Sequence, residues 1–91
     1  MTKSNELKKK KVTFKIKAEK GAKIFVAGSF NGWSMNQHRL NSRNGAFSTS
    51  IMLSRGRHEY KFVVNGEWQP DTECSDWIQN EHGTINSVIR I

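Results

Sequence analysis

Hydrophobic and polar positions alternate along the chain with the period of a β-strand. Val12, Phe14 and Ile16 alternate with polar side chains, which is typical of a strand with one buried face. The apolar run over residues 24–27 ends at Gly28 and predicts a strand that lies centrally or is buried on both faces. Further segments rich in β-branched or aromatic side chains predict strands over residues 46–53, 57–64 and 85–91.

Asn-Gly dipeptides separate these segments at residues 31–32, 44–45 and 65–66. Both residues tolerate positive φ, so the dipeptide is a strong signal for a two-residue hairpin loop. No helix of three turns is indicated. Short strands between such turns predict an all-β fold, either an antiparallel β-sandwich of about 6–8 strands or a small barrel.

The hairpin around residues 65–66 predicts a solvent-facing surface that carries both an indole and an ammonium group. A two-residue loop places Trp68 opposite Val63, with Phe62 turned toward the core. Trp68 and Lys61 then lie on the same outer face as diagonal neighbours. An aromatic plane beside a hydrogen-bond donor suits a sugar ring, which has C–H faces and a hydroxyl rim. The alternative is that Trp68 covers the sheet beneath a loop.

A second indole follows the tight turn at residues 28–32. Of the two aromatic residues in this region, Phe30 is the better core candidate because its side chain is fully apolar. Trp33 is therefore expected nearer the surface. The alternative is that Trp33 closes the end of the sandwich.

Length and charge predict one domain with a basic leading segment. The chain has 91 residues and a net charge of +7, and residues 1–23 hold nine lysines and two glutamates. The remainder is balanced in charge, which argues against nucleic-acid binding. The lysine run within residues 1–11 is interpreted as a flexible, solvated segment before a domain over residues 12–91, or alternatively as a tether to an anionic partner.

Other sequence features restrict the class of protein. Cys74 is the single cysteine, so no internal disulfide can form and a reducing compartment is expected. No apolar stretch has the length of a membrane span or the position of a signal peptide, so we expect a cytoplasmic protein without membrane contact. The cysteine and the histidines lack metal-ligand spacing, so no metal or cofactor is predicted.

Three blocks, at residues 28–33, 56–68 and 83–86, resemble carbohydrate-binding module family 48 in order and spacing. This family includes the glycogen-binding module of AMP-activated protein kinase β subunits and the N-terminal accessory domains of branching and debranching enzymes. The resemblance covers about residues 12–91. It implies an immunoglobulin-like β-sandwich that binds α-1,4-linked glucan, such as glycogen, starch or a maltooligosaccharide, without catalysis. It also implies a possible partner, either a glucan-active enzyme or a kinase.

Matched motif positions imply the carbohydrate-binding residues. Two of them, Trp33 and Trp68, are the stacking platforms. The polar contacts implied are Lys61, Thr84 and Asn86. One departure stands before the loop glycine, where His82 replaces the leucine of kinase-type members and is expected to line the site. The loop over residues 71–82 is also one residue longer and contains Trp77, which we expect to be buried under the loop, although a third platform is the alternative.

Three other functions would each require or use different features of the chain. Catalysis of glycoside hydrolysis needs two carboxyl groups across a cleft, and the candidate acidic residues sit on one edge strand and one loop. Single-stranded nucleic-acid binding by a small β-domain would use surface aromatics and lysines. A protein-interaction module would dock through an open sheet edge.

Overall fold

Nine short strands form two antiparallel sheets in the computed structural model, which describes residues 8–91. The count exceeds the predicted range of about 6–8 because several strands have only two or three residues. The strands are β1 (Lys9–Lys17), β2 (Ile24–Gly28), β3 (His38–Arg39), β4 (Asn41–Arg43), β5 (Ala46–Ser54), β6 (Arg57–Val64), β7 (Glu67–Gln69), β8 (Trp77–Gln79) and β9 (Ile85–Arg90).

The predicted β-sandwich is confirmed by the way the two sheets share one core. One sheet has the order β1-β5-β4, and the other has the order β3-β2-β6-β9-β8 with β7 paired to β6. A single cluster of buried side chains draws on both, with Phe14 and Phe47 from the smaller sheet and Ile24, Val26 and Phe62 from the larger. Burial of this apolar surface is the main stabilising contribution in a chain without a disulfide.

The predicted register of the third hairpin is confirmed. Val63 pairs with Trp68, and Phe62 pairs with Gln69. Asn65 and Gly66 both have positive φ, 51° and 86°, as a two-residue hairpin loop of this kind requires. The dipeptide at residues 44–45 joins β4 to β5 in the same way. The dipeptide at residues 31–32 differs, because it ends a 3-10 turn over Ser29–Asn31.

The N-terminal strand begins earlier than the predicted domain boundary. β1 starts at Lys9, so lysines assigned to the flexible segment over residues 1–11 belong to a strand that pairs with β5. Residues 1–7 of that predicted segment lie outside the described residues. In the described part of the chain, no helix has the length and apolar character needed to traverse a bilayer.

Tyr60 ties the core to the loop that follows β7. Its hydroxyl donates to Asp71 Oδ2 at 2.6 Å, while its ring packs edge-on against Phe14 and Phe62. Burial, followed by the hydrogen bond to Asp71, raises the pKa of Tyr60 far above its ordinary value. The phenol therefore stays protonated and acts as a permanent donor to the loop.

Candidate functional site

An open groove of about 700 Å³ lies on the outer face of the larger sheet. Its lining includes all six residues that the sequence predicted as a site: Trp33, Lys61, Trp68, His82, Thr84 and Asn86. Three further residues line it: Glu59, Asn80 and Glu81. The structure thus brings together side chains from three separate segments of the chain, while their role in binding stays a prediction.

The side chain of Asn31 builds the turn that carries the first indole. Its Oδ1 accepts hydrogen bonds from the backbone N–H groups of Gly28 at 2.9 Å and Ser34 at 3.3 Å. Its Nδ2 donates to the carbonyl oxygen of Val26 at 3.0 Å and lies 2.9 Å from Nδ1 of His38. Four contacts from one amide therefore hold the chain where β2 ends.

This turn places Trp33 in an unusual backbone conformation. Its backbone N–H donates to Gly28 O at 2.9 Å, and its φ is 61°, in the left-handed region. A non-glycine residue in that region costs about 1–3 kcal/mol and persists only where its surroundings enforce it. Such strain clusters at functional sites, and here it accompanies a half-buried indole that lines the groove.

The second indole lies across from the first. Trp68 on β7 is 42% exposed, and its ring centroid lies 6.4 Å from that of Trp33 with an angle of 55° between the planes. Two rings inclined to each other at this separation form a bent rather than a flat aromatic surface. That shape suits a curved ligand with apolar faces.

A polar floor runs beside the indoles from β6 to the loop between β8 and β9. Lys61 Nζ donates to Thr84 Oγ1 at 2.7 Å. Asn86 on β9 is buried, and its Nδ2 donates to Glu59 Oε1 at 2.8 Å. Glu59 Oε2 lies 3.0 Å from Arg57 Nη1, and this ion pair is the last contact of the polar floor, at the start of β6.

Asn80 holds the loop in place. Its Oδ1 accepts from the backbone N–H groups of His82 at 2.9 Å and Thr84 at 3.1 Å. Its Nδ2 donates to Thr84 Oγ1 at 2.8 Å and to Asn86 Oδ1 at 3.1 Å. Gly83 completes the turn with a φ of 83° and a backbone N–H that donates to Asn80 O at 3.0 Å.

The rim of the groove is much more exposed than its floor. The side chain of His82 is 78% exposed and that of Glu81 is 86% exposed, with 3.8 Å between Nε2 and Oε2. An ion pair this exposed contributes little to stability. His82 is therefore available to a ligand at the mouth of the groove but is not positioned by its neighbours.

Sequence analysis did not assign Glu59 and Asn80 to the site, although each had a usable signal. Glu59 precedes Lys61 by two positions on β6, so strand alternation places both on the outer face. Asn80 comes just before a glycine turn, where asparagine side chains often hydrogen-bond the backbone. Neither signal identifies the partners of these side chains, which come from distant parts of the sequence.

The expectation for Trp77 was wrong. Trp77 is 58% exposed and lies on β8, the edge strand of the larger sheet. It pairs with Ser87, which in turn pairs with the core residue Tyr60, so the side chain of Trp77 projects from the core side of the sheet. The opposite sheet has three strands and leaves this indole uncovered. Trp77 does not line the groove.

No group of side chains within residues 8–91 has the arrangement of a metal site.

Comparison with known proteins shows the family of the chain. Residues 10–91 match the family described as the glycogen recognition site of AMP-activated protein kinase. The chain belongs to this family. The match begins within β1 and includes both indoles and the loop at residues 80–84, so every residue that lines the groove lies within it.

Individual relatives of this chain are longer proteins, of which it spans only a part. The 5'-AMP-activated protein kinase subunit beta-2 of Mus musculus is 36% identical over 74 residues, which cover 81% of this chain and 27% of that protein. Subunit beta-1 of Sus scrofa is 32% identical over 71 residues, 78% of this chain and 56% of that protein. Protein PTST homolog 2, chloroplastic, of Arabidopsis thaliana is 40% identical over 50 residues, 55% of this chain and 9% of that protein.

Proposed function

We propose that this domain binds α-1,4-linked glucan, such as glycogen, starch or a maltooligosaccharide, by stacking sugar rings on Trp33 and Trp68. The observation that carries the proposal is the single groove in which both indoles and a hydrogen-bonding floor converge. Glucose rings linked α-1,4 form a curved chain, and the tilted indoles offer a curved surface to it. Membership of the glycogen recognition family supports the same ligand class.

Polar contacts to the sugar hydroxyls would come from Lys61, Thr84 and Asn86, with His82 at the mouth. Stacking on each indole contributes about 1 kcal/mol beyond the area that it buries. With a few hydrogen bonds in an open groove, we expect a Kd on the order of micromolar to millimolar. Several domains on one polymer would bind more tightly through avidity.

The domain would bind glucan without cleaving it. Glycoside hydrolysis needs one carboxyl group that delivers a proton and a second that assists from the other face of the sugar. Of the two carboxylates that line the groove, Glu59 has one oxygen bonded to Asn86 and the other facing Arg57, and Glu81 is exposed at the rim. Incubation with maltoheptaose should therefore release no reducing ends.

A catalytic or regulatory outcome would then depend on a partner. The relatives named above as kinase subunits are longer than this domain, and the domain would bring glucan to a kinase or glucan-active enzyme. Pull-down of a kinase or a glucan-active enzyme with the tagged domain, in the presence and absence of maltoheptaose, tests this arrangement.

Single tryptophan substitutions test the stacking site. We expect Trp33→Ala and Trp68→Ala each to weaken maltoheptaose binding at least tenfold in isothermal titration calorimetry, because each removes one platform of the pair. Trp77→Ala is the matched control, since it removes an exposed indole outside the groove. It should bind like the wild type.

Two results would contradict the proposal. Undiminished binding by folded Trp33→Ala and Trp68→Ala proteins would exclude the stacking site, and absence of binding by the wild type would exclude the function. Cellohexaose, whose β-1,4 links give an extended chain, should bind much more weakly than maltoheptaose. Circular dichroism of each variant checks the fold.

A further inference from the structure

The orientation of the Asn80 side chain follows from its backbone partners. Its Oδ1 faces the backbone nitrogen atoms of His82 and Thr84, at 2.9 and 3.1 Å. A backbone N–H can only donate, so the amide oxygen has to point toward these two groups. The Nδ2 group therefore points away from the backbone and toward the groove.

With Asn80 in this orientation, the hydroxyl oxygen of Thr84 accepts two hydrogen bonds. Asn80 Nδ2 lies 2.8 Å from Thr84 Oγ1, and Lys61 Nζ lies 2.7 Å from the same oxygen. An ammonium group and an amide NH₂ are both donors, and a hydroxyl oxygen has two lone pairs and one hydrogen. Both lone pairs of Thr84 Oγ1 thus accept, and its hydrogen is left for a partner outside the network.

The orientation of the Asn80 amide also fixes the orientation of the Asn86 amide. Asn86 Oδ1 accepts from Asn80 Nδ2 at 3.1 Å, so its own Nδ2 faces the carboxylate of Glu59 at 2.8 Å. Lys61 uses one of its three N–H groups on Thr84. At Thr84 and Lys61, the groups that remain for a ligand are therefore donors: the Thr84 hydroxyl and the free N–H groups of Lys61.

We propose that Asn80 is a positioning residue that makes the Thr84 hydroxyl an obligatory hydrogen-bond donor, so that this end of the groove selects a ligand oxygen that accepts. Neighbouring hydroxyl oxygens of a sugar ring meet this requirement, since one can accept from Thr84 and the other from Lys61. The identity of the ligand as a glucan rests on the proposed function. The direction of the hydrogen bond rests on the network alone.

The variant Asn80→Asp separates the two halves of the Asn80 side chain. It keeps an oxygen for the backbone N–H groups of His82 and Thr84 but replaces the Nδ2 donor by an acceptor. The hydrogen of the Thr84 hydroxyl then turns to the new carboxylate and is lost to the ligand. We expect maltoheptaose affinity to fall about five- to tenfold, as for one lost hydrogen bond, with little change in Tm.

A matched control is available on another turn. Asn65 Oδ1 also accepts a backbone hydrogen bond, from Lys23 N at 2.9 Å, and Asn65 lies outside the groove. Asn65→Asp makes the same chemical change and adds the same charge, so its affinity for maltoheptaose should equal that of the wild type. If Asn80→Asp also binds like the wild type, Asn80 serves only the loop backbone and the inference is wrong.

A double-mutant cycle distinguishes the positioning role of Asn80 from a purely structural one, provided that all variants keep the wild-type fold and Tm. Thr84→Val should weaken maltoheptaose binding in the wild type but have a smaller effect in the Asn80→Asp background, because the Thr84 donor is already lost there. Equal effects in both backgrounds would overturn the proposed coupling.

Hydrogen exchange in the ligand-free protein tests the network independently of glucan binding. By NMR, the Nδ2 hydrogens of Asn80 should exchange more slowly than those of the exposed Asn44. Fast exchange at Asn80 would refute the network even if the wild type binds glucan. Slow exchange in a wild type that binds no maltoheptaose would uphold the network and refute the proposed function.

Discussion

Two asparagines build the two ends of the groove by the same chemistry and with different results. Asn31 and Asn80 each accept two backbone N–H groups with Oδ1 and have two partners at Nδ2. At Asn31 the amide contacts a strand carbonyl and a histidine ring, whereas at Asn80 it donates to two side chains that line the groove. The partners of the side-chain Nδ2 therefore distinguish a turn that only stabilises the fold from a turn that faces the ligand.

This difference separates stability from binding in the two regions. The Asn31 turn connects directly to the central strands of the larger sheet, so damage there should destabilise the whole domain. The loop around Asn80 is exposed, and its hydrogen bonds orient side chains rather than strands. Damage there should act first on ligand affinity.

Gly28→Ala should have the largest effect on stability. A Cβ at this position would lie 2.5 Å from the carbonyl oxygen of Glu59 and 2.6 Å from the ring of Phe30. Because β2 pairs with β6 here, relief requires the two strands to shift, and we expect a loss of about 3 kcal/mol in the free energy of unfolding. Urea denaturation measures it.

Gly45→Ala is the control for that measurement. Its Cβ would meet open space, and only its φ of 81° disfavours alanine, at a cost of about 1 kcal/mol. Equal losses at Gly28 and Gly45 would show that the close approach of β2 and β6 is not a constraint.

Asn31→Asp should destabilise the domain by about 2 kcal/mol, because a carboxylate oxygen would then face the carbonyl oxygen of Val26 without a donor between them. The same substitution at Asn80 should lower Tm less, because the Thr84 hydroxyl can donate to the new carboxylate and only Asn86 Oδ1 loses its donor. Differential scanning calorimetry of both variants compares the two turns directly. A similar fall in Tm for both would erase the distinction between them.

The smallest expected effect is the change in the free energy of unfolding with pH that comes from Tyr60, in the core beneath the Asn31 turn. Tyr60 pairs with Gly28 and has a raised pKa in the folded protein. Its contribution to stability is fully present below about pH 10, where tyrosine in the unfolded chain begins to ionise, and is lost as pH rises further. The free energy of unfolding should fall by at most about 1.4 kcal/mol per pH unit from this group.

Absorbance at 295 nm reports this ionisation directly, because the chain contains one tyrosine. As the pH is raised, tyrosinate should appear only when the domain unfolds. Tyr60→Phe supplies the control, because the pH dependence that remains in this variant comes from groups other than Tyr60. Ionisation of Tyr60 in a domain that keeps its circular dichroism spectrum would contradict the assigned pKa direction.

Much of the groove could be predicted from local pattern. Alternation along residues 57–64 assigned Lys61 to the outer face, and the two-residue loop at residues 65–66 set Trp68 opposite Val63. Motif positions located the remaining site residues, all of which line one groove. The inferences about Lys61 and Trp68 depend only on strand alternation and hairpin register, which are set by neighbours in the sequence.

Other features could not be predicted because they depend on distant pairings. The exposure of Trp77 follows from its place on an edge strand that extends beyond a narrower opposite sheet, and sheet width is not encoded in one segment. The role of Asn80 required Thr84, Asn86 and Lys61 to meet at one loop.

Local sequence is thus sufficient for the longer strands, the register of the third hairpin and the placement of Trp68 beside Lys61, because each follows from dihedral preference and the burial of alternate side chains. The candidates Thr84, Asn86 and His82 came from the family resemblance. The pairing of β6 with both β2 and β9 is what brings the turn of Trp33 and the loop of Thr84 to either side of Lys61. Long-range strand pairing also decides where each amide donor points. That direction is what makes one asparagine turn structural and the other part of a proposed binding site.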